Sequence, residues 1–234
     1  MTRERKQFRR EDAEARRDAL IDGTLSLICE RGIGAATVRA IAARSGVTPG
    51  LIRHYFSSKE DLLGAAFSRH MSTLTETTRR RGRVGTGARD QAAARLAGFV
   101  QAALGPPVVG EHALSLWAGF MTLVRRDPGM RDTHARSYRE FRGHLEVLIR
   151  DAMAEAGQPL SPEELRRKAI ACNAVIDGLW LEGGALPSEF GPGELQGIGL
   201  ASVGAILGLP LLEEGGDVAD RASARSGNEG KEPG

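Results

Sequence analysis

This chain has little cysteine, little aromatic surface and no long apolar run. It carries 2 cysteines in 234 residues. Cys29 and Cys172 lie far apart in apolar, helix-like stretches, which excludes a disulfide-stapled scaffold. They read as two small core residues, with a single long-range disulfide or redox pair as the alternative. Aromatics make up 5% of the chain, so any core is built mostly of Ala, Leu, Ile and Val. No apolar run approaches the roughly 20 residues that span a bilayer. The N-terminus is charged and has no apolar signal core, so a cytoplasmic protein is expected. No stretch alternates with period two, which argues against a sheet. No G-x-S-x-G nucleophile turn occurs. His112, His134 and His144 lack the helical partners of a metal site. The expectation is a protein without catalytic residues, metal or cofactor.

What is present is a lopsided charge. Hydrophobic residues are 41% and charged residues 26%, ordinary for a globular chain long enough for one large or two modest domains. The net charge of +2 hides an imbalance: residues 1–83 hold 17 Lys/Arg against 10 Asp/Glu, and the remainder 15 against 20. The N-terminal part is built to meet a polyanion.

Residues 1–11 are dense in charge without periodicity and read as a basic, flexible arm. Helical periodicity starts at Asp12 and stops at Gly32. Thr37 suits the N-cap of a short helix with Val38, Ile41 and Ala42 on one face. Ser45-Gly46-Val47 reads as a tight turn, after which Thr48 and Pro49 open a second short helix ending near His54. Ser57 or Ser58 then starts a longer helix, and 79–87 reads as a loop. Further helices are expected at about 88–104, 111–126, 128–156, 161–185 and 193–208. From Glu213 the chain is Gly/Ser/Glu-rich and is expected to be disordered.

Two short helices about a glycine turn are the plan of a helix-turn-helix, whose second helix enters the major groove. Thr48, Pro49, Arg53 and His54 are left outside; Arg reads guanine and Thr or Pro touches a thymine methyl. The two capped helix starts, with the Thr37 and Thr48 hydroxyls and Lys59 behind, offer phosphate contacts. The same spacing also fits a structural three-helix bundle with a solvated basic face.

The segment "TVRAIAARSGVTPGLIRHYFSSKEDLL", residues 37–63, resembles the signature of the TetR family of transcriptional regulators through Thr37, Ile41-Ala42, Gly46-Val47, Gly50, Tyr55-Phe56, Lys59 and Leu62. The resemblance implies an all-α chain: an N-terminal three-helix helix-turn-helix domain and a C-terminal helical ligand-binding and dimerisation bundle. The implied divisions are the arm at 1–11, the DNA-binding domain at 12–57, the second domain at 58–212 with a connecting helix at 58–82, and a tail at 213–234. The implied DNA contacts are Thr37, Arg39, Thr48, Pro49, Gly50, Arg53, His54, Tyr55 and Lys59. Arg53 stands where the family often has Tyr, so its base preference is its own. "AVIDGLWLEGGAL", residues 174–186, and "LWAGFMTLVRRDPGMRDTHARSYREFRGHL" are similar to the BetI-type branch, which represses choline-to-betaine genes.

A quaternary ammonium ligand needs aromatic faces and often a carboxylate. Trp117, Phe120, Tyr138, Asp177 and Trp180 supply these types, although large residues at such positions also serve simply to fill a core. The 193–208 helix is apolar nearly all round, so it is either an interior helix or a subunit interface. The resemblance implies a four-helix interface between two copies, with Val175, Gly178, Ile198, Val203, Ile206 and Leu207 as its residues. The expected function is a dimeric, ligand-responsive repressor on a palindromic double-stranded operator. A constitutive DNA-binding protein and an enzyme with a DNA-binding appendage are the rival readings.

Overall fold

The structure, a computed structural model, describes residues 2–82 and 92–211, with side chains from residue 13 onward. The tail read at 213–234 and most of the 79–87 stretch lie outside the described residues.

The described chain is all-helical: α1 (Thr2–Arg31), α2 (Val38–Arg44), α3 (Pro49–Tyr55), α4 (Lys59–Gly82), α5 (Ala92–Ala103), α6 (Glu111–Val124), α7 (Pro128–Glu155), α8 (Pro162–Ala185) and α9 (Glu194–Leu207). Local chemistry sets many of these ends. The Thr37 hydroxyl accepts from the Ala40 N–H at 3.2 Å and starts α2. Gly46, with φ of 65°, takes the left-handed conformation that the turn into α3 requires. Ser58 accepts from the Asp61 N–H at 3.0 Å, while the Asp61 carboxylate accepts from the Ser57 N–H at 2.9 Å, so Ser58 caps α4. Ser161 and Glu164 form a reciprocal capping box at α8, where Pro162 occupies the first turn.

Two helices are longer than the sequence pattern suggests. α1 is helical from Thr2, through the stretch read as an arm, because no Gly or Pro interrupts residues 2–22 and Arg, Glu, Gln, Lys and Ala dominate there. α4 runs to Gly82, through Arg79–Arg81; Arg79 pairs with Glu76 one turn earlier at 2.8 Å, and the cations sit at the end of the helix that favours them.

The helices enclose two cores. In the first, Leu20, Ile21, Leu27 and Ile28 of α1 meet Ile41, Ala42, Ile52 and Phe56, and also Leu62, Leu63, Ala66 and Phe67 from the first half of α4. Leu116 and Phe120 of α6 and Met130 of α7 close it from the far side. Arg44 forks onto both carboxylate oxygens of Glu30 and ties α2 to α1, holding the Glu30 carboxyl down to about 2. The second core joins α5, α7, α8 and α9 around Leu96, Phe99, Leu145, Ile149, Cys172 and Leu200.

Here the interface expected on α9 is corrected. Val203 is 0% exposed and Leu207 2%, both inside this second core, and Ile206 packs against it. A Cβ at Gly199 would overlap Leu104, so the bare backbone of α9 lies against α5 of its own subunit. The physical reason is the all-round apolarity of α9, which leaves its inward side undefined until α5 is in place. The outward side is Ile198, Ala201 and Ala205. On α8, Ala171, Ala174, Gly178, Leu181 and Ala185 are likewise exposed, and Val175 is half-buried. Both sets follow the three-and-four spacing of one helix face. The second core therefore leaves an apolar face uncovered on α8 and α9.

Candidate nucleic-acid interface and ligand cavity

α2 and α3 bury Ile41, Ala42 and Ile52, and this fixes what they show to solvent. Thr37, Arg39, Thr48, Pro49, Gly50, Arg53 and His54, the residues expected to contact DNA, are all exposed. Tyr55 is half-buried, packs on the first core and meets the His54 ring edge-on at 5.2 Å. Thr48 caps α3 with its backbone alone; its hydroxyl makes no cap bond and remains available. A Cβ on Gly50 would meet only Thr48 Oγ1, at 3.9 Å. The subunit itself therefore does not need glycine there.

Charge pairing sorts the basic residues. Arg44 is held by Glu30, and Arg69 by Asp18 and Asp22. Arg17 lies over the Phe56 ring at 5.1 Å. Arg39 of α2, Arg53 of α3 and Lys59 at the start of α4 make no hydrogen bond or ion pair among the described residues. Such cations are the ones available to phosphates and base edges. For Lys59, beside the capped start of α4, the expected contact is phosphate. Lys59→Ala is expected to weaken binding to all sequences and to lower the slope of log affinity against log salt by about one ion. An unchanged slope in a salt titration would remove Lys59 from the interface.

The second site is a cavity of about 280 Å3 between α4, α6, α7 and α8. Trp117, Tyr138, Asp177 and Trp180, four of the five residues read as ligand contacts, line it. Phe120 does not: it is 0% exposed in the first core and sits 4.9 Å from Phe67. The reason is helical phase. Trp117 and Phe120 share α6, but Phe120 lies one turn beyond Leu116, on the side facing α1 and α4. Gly178, read as a dimer contact, is exposed and also lines the cavity.

The walls are ordered by specific bonds. Trp180 donates its indole N–H to the Val108 carbonyl at 2.8 Å and meets Trp117 edge to face at 5.9 Å. Tyr138 donates its hydroxyl to Asp177 Oδ2 at 2.8 Å, and Asn173 donates to the same oxygen at 2.7 Å. Burial pushes the Asp177 carboxyl up, against the pull of these two donors. Burial beside Asp177 likewise raises the Tyr138 hydroxyl. His134 links this cluster to the first core, its ring 4.7 Å from Tyr138 and 5.9 Å from Phe67.

The α4 wall, formed by Met71, Leu74, Thr75 and Thr78, was not among the residues expected from sequence. Met71 and Leu74 were legible only as an apolar stripe, and nothing local marks a stripe as facing a cavity instead of a core. Asn173 was missed too, although its spacing of one helical turn from Asp177 was a usable signal.

Unpaired cations around a helix-turn-helix, joined by one continuous helix to a chamber in the helical body, define a DNA-binding regulator that carries a sensor domain in the same chain. Residues 20–66 match the tetR family of bacterial regulatory proteins. Residues 63–208 match the family described as BetI-type transcriptional repressor, C-terminal. The HTH-type transcriptional regulator BetI of Burkholderia mallei (strain NCTC 10229) is 32% identical over 177 residues, covering 75% of this chain and 85% of its own. The crystal structure of a transcriptional regulator from Pseudomonas aeruginosa PAO1 is similar at a TM-score of 0.73 and 29% identity, over 83% of this chain and 91% of that one. FadR from Bacillus subtilis, in complex with stearoyl-CoA, shares the fold at a TM-score of 0.61 and 18% identity, over 81% of this chain and 96% of that one. This chain belongs to the TetR family of transcriptional regulators and carries a BetI-type C-terminal domain.

Proposed function

We propose that the protein is a dimeric repressor that binds a palindromic operator and releases it when a small organic cation enters the cavity. One observation carries this reading: α4 belongs to both sites. Its first half supplies Leu62, Leu63, Ala66 and Phe67 to the core beneath the recognition helix, and its second half supplies Met71, Leu74, Thr75 and Thr78 to the cavity wall. A ligand that displaces the second half moves the first, because a helix transmits displacement along its axis and a packed core does not absorb it. The ligand shifts the operator equilibrium by its difference in affinity for the two arrangements.

The uncovered apolar face of α8 and α9 supports pairing of two copies, which sets two recognition helices one DNA turn apart. The aromatic walls and the single carboxylate of the cavity suit a cation. Among the described residues no helix is long and apolar enough to cross a membrane.

Binding-site selection from random duplexes tests the DNA half of the reading. The expected product is a palindrome whose half-site centres lie one helical turn apart. Arg53→Ala is expected to cost about 1–3 kcal/mol and to relax preference at one position per half-site. An unpaired, asymmetric site would sink the dimeric operator. A uniform loss across sequences would reduce Arg53 to a phosphate contact.

A further inference from the structure

Asp177 is a partly buried carboxylate on a chamber otherwise lined by apolar residues and the neutral polar Thr75, Thr78, Tyr138 and Asn173, and among the described residues no Lys, Arg or His lines it. Its Oδ2 is doubly occupied, accepting from the Tyr138 hydroxyl at 2.8 Å and the Asn173 amide at 2.7 Å. Both donors are neutral, and they fix the plane of the carboxylate without cancelling its charge. Oδ1 has no partner among the described residues. A charge removed from water needs both a counter-charge and satisfied hydrogen bonds.

We propose that the effector is an ammonium ion bearing at least one N–H, that is, a protonated primary, secondary or tertiary amine with an apolar body, which donates to Asp177 Oδ1. The inference rests on the reading of this cavity as the effector site and narrows it. Quaternary and N–H-bearing ammonium ions carry the same charge, and both gain from the Trp117 and Trp180 rings. They differ at the carboxylate. An N–H approaches to about 2.8 Å, N to O, in a charge-assisted bond. A quaternary ion presents only methyl groups, whose carbons stay about 3.3–3.6 Å from an oxygen. It would neutralise Asp177 but, on entering, displace water from Oδ1 without replacing the hydrogen bond. The apolar body of the amine would lie against Met71, Leu74, Val108, Phe141 and Ile176.

Two probes of nearly equal shape separate the cases: benzyldimethylammonium, which carries one N–H, and benzyltrimethylammonium, which carries none. The readout is native tryptophan emission of the full-length protein, since the chain has 2 tryptophans and both line the cavity. The expected result is that the N–H probe binds at least about tenfold more tightly, equivalent to about 1.4 kcal/mol. Asp177→Asn, checked for an unchanged melting transition, is expected to abolish that preference. If it does not fold, Tyr138→Phe serves instead: it removes one of the two donors on Oδ2, leaving Asn173, and is expected to alter affinity for the N–H probe more than for the quaternary one. Equal affinities, or tighter quaternary binding, overturn the inference while leaving the cavity as a cation site. If neither probe perturbs the emission at millimolar concentration, the inference fails together with the cation reading. A mobility-shift assay without probe shows separately whether operator binding stands.

Discussion

Ile198→Glu is expected to yield a folded monomer that has lost its operator. Ile198 is 39% exposed and projects from the side of α9 away from α5, with Ala201 and Ala205 one and two turns on. On an isolated subunit the new carboxylate stays in water and costs little. In an isologous pair each copy places its introduced carboxylate in apolar contact with, or close to, the other copy's. Like charges brought together at such a contact cost several kcal/mol, enough to reduce dimer formation by on the order of 100-fold or more. A single recognition helix then reaches only one half-site, and tight specific binding needs two. Sedimentation should report a monomer, circular dichroism an unchanged helical content, and mobility shift a loss of the operator complex. A tight dimer of the Ile198→Glu protein would place the interface elsewhere.

The second large effect comes from the same helix, five residues on, and differs in kind. Val203 is fully buried in the second core, where α9 packs on α5 and α8. Val203→Glu strands a carboxylate in that core, at a cost of about 3–5 kcal/mol, comparable to breaking a buried ion pair. A domain is stable by only about 5–15 kcal/mol, so much of its margin goes. The melting midpoint should fall by about 6–20 °C, given roughly 2–4 °C per kcal/mol for a chain of this size. Dimer and operator binding would be lost only as a consequence of unfolding. A Val203→Glu protein that melts normally but sediments as a monomer would show that Val203 faces a partner after all.

The amino-acid sequence by itself determined most of the elements and the solvent-facing side of α2 and α3. Thr37, Gly46, Pro49, Ser58 and Ser161 act on backbone groups within a few residues of themselves, so their caps and turns are readable without a third dimension. The outward side of α2 and α3 was equally legible: both helices are one-sided, and once Ile41, Ala42 and Ile52 go inward, Thr48, Arg53 and His54 must face outward. Tertiary structure alone decided the rest. α9 is apolar on every side, so periodicity could not distinguish the face of Val203 from that of Ile198; contact with α5 at Gly199 did. Phe120 and Trp117 share an aromatic-rich helix, and only the arrival of α1 and α4 on one side, with α8 on the other, assigned one to a core and one to a chamber. That chamber has no local signature, because it is the space left where four helices fail to meet, and no residue encodes a gap.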